Sequence, residues 1–365
     1  MKIWVMAARY ALSGVPLAQV RFAQELAALG HQVELIFGLI NPSYKQPVVP
    51  GVSVRVMEKS RVIGMLLPIT AHFKRNRPDI VFSAGDHLNS VVLMAAILSR
   101  SKSKISCSSR VTPFDTYSNT WFSKRWVLKQ LMRVLMPRAD ALTCVSKDMV
   151  NQYNIVFNAS RHVCVYNIVD AALSVNQMYE AVDDDDWIFE NDAPLLIAAG
   201  MLEPWKGFSD LINAIALVLK TKRAKLLILG DGPLRDSLQT LIDQLDVGHS
   251  VRLAGYVDNP IKYFRKANVF VLSSLVEGMP NVLVEAMMCG CTPVSTNCPT
   301  GPSELLRDGK YGYLVPVRDC IAIAEGICRA LETPIPEDLL KEAVEPFAAK
   351  EVISRHFALL GIDPK

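Results

Sequence analysis

Long apolar runs are absent from this chain of 365 residues. The longest clean stretch, residues 91–98, is far shorter than the roughly 20 residues that a helix needs to cross a bilayer. No signal peptide is expected, because Arg9 interrupts the short apolar run that follows Lys2. Positive and negative charges nearly balance: the formal net charge is +3, which gives no reason to expect a nucleic-acid partner.

Paired cysteine ligands are missing as well, since the eight cysteines contain no CxxC pair. Cys289, Cys291 and Cys298 lie near each other, but without the spacing of a zinc site, so buried core thiols are favoured over a metal site. We therefore predict no metal and no other cofactor, and we expect a reducing, cytoplasmic compartment. Three further cysteines lie in strand-like runs, where the residue is usually a small buried hydrophobe: Cys107, Cys144 and Cys164.

What the sequence does contain is a regular alternation of strand-like and helical segments in two blocks. The first block has strands at residues 2–8, 32–37, 79–83, 105–108, 141–145 and 163–166, and helices at 17–29, 60–75, 88–99, 121–136 and 147–153. The second has strands at 195–199, 224–229, 251–254, 269–272, 293–295 and 313–316, and helices at 208–220, 233–245, 260–266, 280–288 and 319–331. Such alternation predicts mostly parallel sheets covered by helices on both faces.

The predicted architecture is α/β, with two doubly wound Rossmann-like domains. We place the domains at residues 1–170 and 194–345, with a linker at 171–193. The run of four aspartates at 183–186 is interpreted as solvated linker rather than a metal site. Residues 346–365 are predicted to form a helix that packs back on the first domain. Ligands of such sheets bind outside the C-terminal strand ends, so a cleft between the domains is the expected site.

One segment combines two carboxylates with an anion-binding loop pattern. It reads S-S-L-V-E-G-M-P-N-V-L-V-E-A-M-M-C-G over residues 273–290, and seven residues separate Glu277 from Glu285. Between the glutamates, three residues indicate a loop and a helix start: Gly278, Pro280 and Asn281. A strand, a glycine-containing loop and a helix N-terminus present backbone N–H groups to a phosphate. Two glutamates beside such a loop indicate a ligand held between them.

The blocks around this segment carry a resemblance to a known family. They are G-M-L-E-P-W-K-G-F at 200–208, G-D-G-P-L-R at 230–235, G-Y-V at 255–257 and N-C-P-T-G-P-S-E-L at 297–305. In content and spacing they resemble the retaining glycosyltransferases of family 4, over about residues 195–331, while the first half matches more loosely. The resemblance implies the GT-B fold, in which two such domains face each other across a cleft.

The resemblance gives the two glutamates different roles. It places Glu277 near the hydroxyls of the donor sugar and Glu285 at the ribose hydroxyls, with the loop at 278–280 against the diphosphate. Lys206 would stabilise the charge that builds on the leaving group. The residues alone leave other interpretations open, since Glu285 could face solvent on its helix and Lys206 could be an ordinary exposed lysine.

The resemblance implies two further sets of residues. The catalytic set is Glu277, Lys206 and His87. The donor-binding set is Gly14, Gly200, Met201, Lys206, Gly230, Tyr256, Val257, Glu277, Gly278, Met279, Pro280, Asn281 and Glu285. For the glycine pair that begins at Gly230, the alternative is a plain turn after a strand, because the GxGxxG and Walker patterns are missing.

Met201 departs from the family pattern, which has an arginine at this place. An arginine would hold the diphosphate through a planar, charged pair of donors, whereas methionine offers none. Losing such a donor typically costs about 3 kcal/mol in a catalytic site. Three outcomes are open: another cation substitutes, with Arg110, Arg307 or Arg9 as candidates; catalysis is weak or lost; or the methionine is an engineered change.

Three residues of the first block are candidate site residues. Gly14 stands where the family has a glycine pair near the diphosphate, although only one glycine remains here. His87 and Arg110 follow predicted strands and are placed on the acceptor or sugar side. The alternative for His87 is a residue at a helix start that Asp86 caps. The remaining five histidines show no motif.

Two segments, at 61–77 and 121–138, mix basic and apolar residues. The second combines Trp121, Phe122 and Trp126 with four cations: Lys124, Arg125, Lys129 and Arg133. Such a helix either rests on an anionic membrane surface or covers the sheet as an ordinary amphipathic helix. The membrane alternative would make the chain peripheral at the inner face of the membrane.

Taken together, these features predict a retaining glycosyltransferase. It would move a hexose or N-acetylhexosamine from a UDP-sugar to a glycan acceptor, either free or lipid-linked, in polysaccharide or glycoconjugate biosynthesis. The competing hypothesis, motivated by Met201, is a catalytically weakened or non-catalytic protein that binds nucleotide sugars. A nicotinamide-dependent oxidoreductase is disfavoured, because the glycine fingerprint after the first strand is missing.

Overall fold

The structure is a computed structural model that describes residues 1–11, 14–42, 44–169, 176–182, 187–188 and 193–362. The chain divides into two units, one made of Met1–Val169 together with Phe347–Lys365 and the other of Asp170–Pro346. The aspartate run at 183–186, which we interpreted as solvated linker, lies outside the described residues.

The first unit is built on a sheet of seven parallel strands in the order β3-β2-β1-β4-β5-β6-β7. The strands are β1 (Lys2–Tyr10), β2 (Gln32–Ile40), β3 (Val52–Val56), β4 (Ile80–Ala84), β5 (Lys104–Ser109), β6 (Ala141–Cys144) and β7 (His162–Cys164). The central strands are apolar and buried on both faces, as parallel sheets require. Strand β3 was not predicted, because it lies at the sheet edge, where its residues are half-buried or exposed.

Helices cover both faces of this sheet. They are α1 (Gly14–Ala28), α2 (Leu66–Asn76), α3 (Asp86–Ser99), α4 (Pro113–Thr116), α5 (Lys124–Leu135) and α6 (Lys147–Phe157). Helices α2 and α5 both contact α3, so all three share one side of the sheet. The order of the strands reverses beside β1, which pairs with both β2 and β4. In a doubly wound sheet this switch point is where ligands bind.

The second unit contains a sheet of six parallel strands in the order β10-β9-β8-β11-β12-β13. The strands are β8 (Leu195–Ala199), β9 (Lys225–Leu229), β10 (Val251–Gly255), β11 (Val269–Leu272), β12 (Thr292–Thr296) and β13 (Tyr313–Val315). The helices are α7 (Phe208–Val218), α8 (Arg235–Gln244), α9 (Ile261–Phe264), α10 (Asn281–Met288), α11 (Pro302–Leu305), α12 (Cys320–Glu332) and α13 (Glu337–Val344). Its switch point lies at β8, which pairs with both β9 and β11.

The last helix, α14 (Ala349–Leu359), belongs to the first unit and contacts α1. His356 of α14 is buried against the rings of Phe22 and Phe82, at centroid distances of 5.1 and 5.3 Å. The predicted α/β class with two parallel sheets is confirmed. Most strand bounds differ from the predicted ones by one to three residues, and α13 was not predicted.

Candidate functional site

The second sheet brings two distant parts of the chain together at its switch point. Strand β8 ends at Ala199 and continues into a loop with a 3-10 turn at Pro204–Lys206, while β11 ends at Leu272 and continues toward Glu277. The two loops are hydrogen-bonded, since Leu275 N donates to the carbonyl of Trp205 at 2.8 Å. The two motifs predicted to hold the donor are therefore neighbours.

Lys206 and Glu277 form the centre of this site. The lysine Nζ lies 2.6 Å from Glu277 Oε1, and the side chains are 18% and 12% exposed. Ser274 Oγ donates to the same carboxylate oxygen at 2.7 Å. Among the described residues, no hydrogen bond reaches the second oxygen, Oε2. That oxygen and the two further N–H groups of the lysine are thus left for a ligand.

The main chain around Glu277 is held from a third loop. Thr300 Oγ1 donates to the carbonyl of Glu277, and Glu277 N donates to the carbonyl of Pro299 at 3.4 Å. We did not predict Ser274 or Thr300 as individual site residues. Their signal was their position inside two motif blocks, the first two residues after a strand and the second next to a glycine.

Gly207 lets the lysine loop approach the glutamate loop. Its φ is +64°, in the left-handed region, and a Cβ at this position would lie 2.1 Å from the carbonyl oxygen of Ser273. The hydroxyl of Ser273 in turn donates to the carbonyl of Lys206 at 2.8 Å. A side chain at 207 would therefore push the two loops apart.

Gly230 has the same role between the ends of β8 and β9. Its φ is +135°, and a Cβ there would lie 1.9 Å from the carbonyl oxygen of Gly200. The segment that begins at Gly230 is a turn: Gly230 N donates to Gly255 O at 2.7 Å, and Leu202 N donates to Asp231 O at 3.0 Å. Both the turn and the loop that holds Met201 therefore lie at the C-terminal edge of the sheet.

Met201 itself is 48% exposed. One proposed substitute, Arg307, is engaged elsewhere, because it lies 3.4 Å from Glu342 and over the ring of Tyr311. A cation that we did not single out is nearer this edge: the guanidinium of Arg235 donates to Leu253 O at 3.3 Å and would lie 3.6 Å from a Cβ at Gly255.

The glutamate segment folds as its pattern indicated. Helix α10 begins at Asn281 after Pro280, and both Met279 and Pro280 are buried. Glu285, on α10, is only 4% exposed, so the alternative in which it faces solvent is wrong. A buried carboxylate requires polar partners, and this position agrees with a ligand role.

The remaining donor-side residues follow strand ends. Tyr256 and Val257 come directly after β10, and the tyrosine is 50% exposed. Near Glu277, burial and a smaller contribution from the charge of that carboxylate raise the pKa of the buried Cys298 thiol to about 11. The prediction that cysteines 289, 291 and 298 are core thiols is confirmed by their burial.

In the first unit, His87 lies in the first turn of α3 and is exposed. The alternative in which Asp86 caps this helix is wrong, because Gly85 stands at the N-cap. The carboxylate of Asp86 is buried and accepts hydrogen bonds from Tyr153 and, at 2.7 Å, from Ser109. Burial raises the pKa of Asp86 despite these donors.

Gly14 and Arg110 also lie at the C-terminal side of the first sheet. Gly14 is the first residue of α1, and nothing lies within 4 Å of a Cβ built there. Arg110 follows β5, and its guanidinium donates to the side-chain oxygen of Asn167. Burial lowers the pKa of Arg110 to about 10, so the group stays cationic at neutral pH.

Helix α5 covers the fold with one face, and the membrane alternative for this segment stays a prediction. Its inner face is buried, as expected of a helix that covers the fold, and Lys129 belongs to this face, so counting it among the surface cations was wrong. Outside that face, Trp121 and Phe122 are 74% and 81% exposed. Their rings and that of Trp126 contact each other at centroid distances of 5.7 to 6.2 Å.

Comparison with known families shows which family the chain belongs to. The family described as "Glycosyl transferases group 1" matches residues 181–345, and "Glycosyltransferase Family 4" matches residues 13–173. The chain belongs to these glycosyltransferases. The family 4 match covers most of the first unit, where the sequence resemblance was looser, and the group 1 match covers the Lys206–Glu277 site.

Relatives of this family 4 chain act in polysaccharide and lipid-linked glycan biosynthesis. The chain is 33% identical over 257 residues to the N-acetylgalactosamine-N,N'-diacetylbacillosaminyl-diphospho-undecaprenol 4-alpha-N-acetylgalactosaminyltransferase of Campylobacter jejuni, covering 70% of this chain and 66% of that protein. It is 26% identical to the amylovoran biosynthesis glycosyltransferase AmsD of Erwinia amylovora, over 80% of each chain. Three curated relatives, the Campylobacter enzyme among them, are matched over 42 to 66% of their length.

Solved structures show the same fold. Anabaena HepE, in complex with UDP and glucose, superimposes with a TM-score of 0.76 and 18% identity over 99% of both chains. This supports the two-sheet GT-B architecture of the family 4 chain. In the described part of the chain, every helix is too short or too polar for a membrane span. Within the same residues, no three His, Cys, Asp or Glu side chains are grouped as metal ligands would be.

Proposed function

We propose that this chain is a retaining glycosyltransferase that moves a hexose or N-acetylhexosamine from a UDP-sugar to a glycan acceptor. The observation that carries the proposal is the Lys206–Glu277 pair, 2.6 Å apart at the switch point of the second sheet. An unshared carboxylate oxygen suits a sugar hydroxyl, and the spare N–H groups of the lysine suit a phosphate oxygen. The family match supports this assignment of the pair.

The donor would be held by groups of different chemistry. The diphosphate would bind the loop at 278–280 and Lys206, where backbone N–H groups and a cation meet an anion. Glu285 would bind the ribose hydroxyls, and Glu277 the hydroxyls of the sugar. The buried position of Glu285 and the fixed main chain of Glu277 favour these roles, since neither group has to be ordered when the ligand arrives.

The chemistry follows from the placement of charge. As the bond between the anomeric carbon and the leaving phosphate oxygen breaks, negative charge builds on the diphosphate, and Lys206 stabilises it. The acceptor hydroxyl attacks the same face and passes its proton to the leaving phosphate oxygen. No side chain is assigned as a covalent nucleophile, and we propose that the reaction needs no metal. The carboxylate of Glu277 orients the sugar and holds the lysine.

The test pairs a binding measurement with a transfer assay. Calorimetric titration with UDP should give saturable binding at millimolar ligand or below, and Glu277→Gln should slow transfer while UDP still binds. Lys222→Met is a suitable control, because Lys222 forms an exposed ion pair with Glu332 in the same unit. No detectable heat with uridine nucleotides, from a folded protein, would overturn the donor assignment.

A second candidate is a nucleotide-sugar-binding protein of the same fold with weak or no catalysis. Met201 favours it, because the side chain is half-exposed at the edge where a charged donor would serve the diphosphate. Turnover with a panel of UDP-sugars separates the two candidates. Binding without transfer or donor hydrolysis across the panel would favour the second.

We propose that the acceptor is a glycan, which is either free or linked to a lipid. His87 and Arg110 are proposed on the acceptor or sugar side, as both follow strand ends of the first sheet. The Campylobacter relative is named for a diphospho-undecaprenol-linked substrate and the Erwinia relative for amylovoran biosynthesis, and these names motivate both versions. Transfer to a lipid-linked glycan and to the same glycan without lipid should be compared directly.

We further propose that the first unit rests on an anionic membrane surface, on the cytoplasmic side. The exposed rings of Trp121 and Phe122 beside Lys124, Arg125 and the more distant Arg133 combine interfacial aromatics with positive charge. Flotation with anionic liposomes should recover the protein, and the double variant Trp121→Ser, Phe122→Ser should lose this. Ile321→Ser, at another exposed apolar residue, is the control. If the unchanged protein does not float with anionic liposomes, the membrane proposal is wrong.

A further inference from the structure

A small cavity lies inside the first unit, where α1 and α14 cover the C-terminal halves of β4 and β5. Its volume is about 10 Å³, room for one guest of about the size of a water molecule. Gln19 of α1, Ser106 of β5, Arg110 and His356 of α14 contribute polar groups to its lining. All the residues that line it belong to the first unit, whereas Lys206 and Glu277 belong to the second.

The strand pattern explains why polar groups meet in this interior. Side chains alternate between the faces of a strand, so Ser106 and Ser108 share a face, which Arg110 continues just past the strand end. Ser106 is paired in register with Phe82 of β4, whose ring contacts Phe22 and His356. This face is therefore the one that α1 and α14 cover.

Three buried polar atoms on this cavity lack hydrogen-bond partners among the described residues. They are the Oγ of Ser106, the Nε of Arg110 and the Nδ1 of His356. Ser106 and His356 are 1% and 6% exposed, so solvent does not supply the missing partners freely. Because buried polar groups in native proteins are nearly always paired, three unpaired polar atoms around one cavity indicate that a small molecule or ion binds there.

The charge of the cavity lining indicates what kind of ligand binds there. Arg110 donates to Asn167, and no carboxylate within the described ranges forms an ion pair with it. Burial, followed by the charges of Arg110 and Arg355, lowers the pKa of His356 to about 3, so this histidine is neutral at pH 7. The cavity thus carries one uncompensated positive charge and several N–H or O–H donors. Water would satisfy the donors but not the charge.

We propose that this cavity binds one small inorganic anion of the size of chloride, held by Arg110, Ser106 and His356. The anion balances the guanidinium and accepts hydrogen bonds from the hydroxyl and, in its Nδ1–H tautomer, from the imidazole. Because His356 comes from α14 and Ser106 from β5, the anion fastens the last helix to the sheet. The proposal gives Arg110 a structural role in this cavity in place of the acceptor-side role proposed above, and its test measures the stability of the first unit rather than the transfer reaction.

Thermal unfolding of the full chain tests the proposal. Sodium chloride and sodium gluconate are compared at equal ionic strength, because gluconate is too large for the cavity. Chloride should raise the Tm in a saturable way, by about 2–4 °C. Arg110→Gln should abolish the difference between the salts, while Arg75→Gln, at an exposed arginine on α2 of the same unit, should keep it.

If Arg110→Gln does not fold, X-ray diffraction from crystals of the unchanged protein tests the proposal instead. A crystal soaked in bromide should show an anomalous peak between Ser106 and Arg110, and Ser106→Ala should weaken it. Equal melting curves in the two salts together with no bromide peak overturn the proposal. Stabilisation by phosphate but not by chloride overturns the assignment of size and ligand.

Discussion

The ion pair between Lys206 and Glu277 allows the most demanding prediction. The atoms are 2.6 Å apart, and both side chains are more than four-fifths buried. At an effective dielectric constant near 20 their attraction is about 6 kcal/mol before desolvation, which offsets most of it. We expect a net coupling of about 1–2 kcal/mol, above the 0–1 kcal/mol typical of surface pairs.

The same lysine is expected to matter more for the transition state than for stability. Lys206→Met removes a charged donor to the leaving diphosphate, so kcat should fall by about 10²–10³. Glu277 then keeps Ser274 as a donor, which limits the loss of folding free energy. Transfer rates and urea unfolding should be measured on Lys206→Met, Glu277→Gln and the double variant.

The pair of Lys222 and Glu332 is the matched control. Its atoms are 2.7 Å apart in the same unit, but the side chains are 31% and 61% exposed. A double-mutant cycle there should give a smaller coupling and unchanged kcat. If Lys206→Met keeps kcat within about threefold, or if the two pairs couple equally, the roles assigned to burial and to Lys206 are wrong.

Three other predictions follow from single positions. Met201→Arg should raise kcat about tenfold, with Met201→Lys helping less, and an unchanged rate would indicate that another cation already serves the diphosphate. Gly230→Ala should lower the urea midpoint strongly, because its Cβ would lie 1.9 Å from Gly200 O, whereas Gly248→Ala, with 3.8 Å to Ile242, should be tolerated. Burial lowers the pKa of His162 to about 3, below its unfolded value of 6.5, so the unfolded state takes up the proton first as pH falls below 6.5. Stability should therefore fall toward pH 4 by about 1.4 kcal/mol per pH unit from this residue, and His162→Gln should reduce that slope in urea titrations at several pH values.

Strand and helix positions could be predicted from the sequence where the spacing of apolar residues and the length of the segment both indicated the same element. Strands β8 and β11 were predicted to the residue, because both are short, wholly apolar and fully buried. Strand β3 escaped detection, because an edge strand with half-exposed residues carries little hydrophobic signal. Helix α13 was missed among the charged residues near the end of the chain.

The motifs of the site could be predicted from the sequence, but the contacts between their side chains could not. The sequence placed Lys206 and Glu277 in the same pocket through resemblance alone, 71 positions apart. That they touch depends on which strands are neighbours, since β8 pairs with β11 although two strands and three α-helices lie between them in the chain. The same holds for His356, which shows no local motif and acquires partners only because α14 returns to the first sheet.

The return of α14 also has a consequence for synthesis on the ribosome. The first unit takes its residues from both sides of the second, so its interior stays open along β4 and β5 until the last helix has emerged. The second unit, by contrast, is continuous and can close as soon as residue 346 is available. The unit that begins first is thus the one completed last, and a ribosome stalled before α14 should display a protease-sensitive first unit beside a resistant second one.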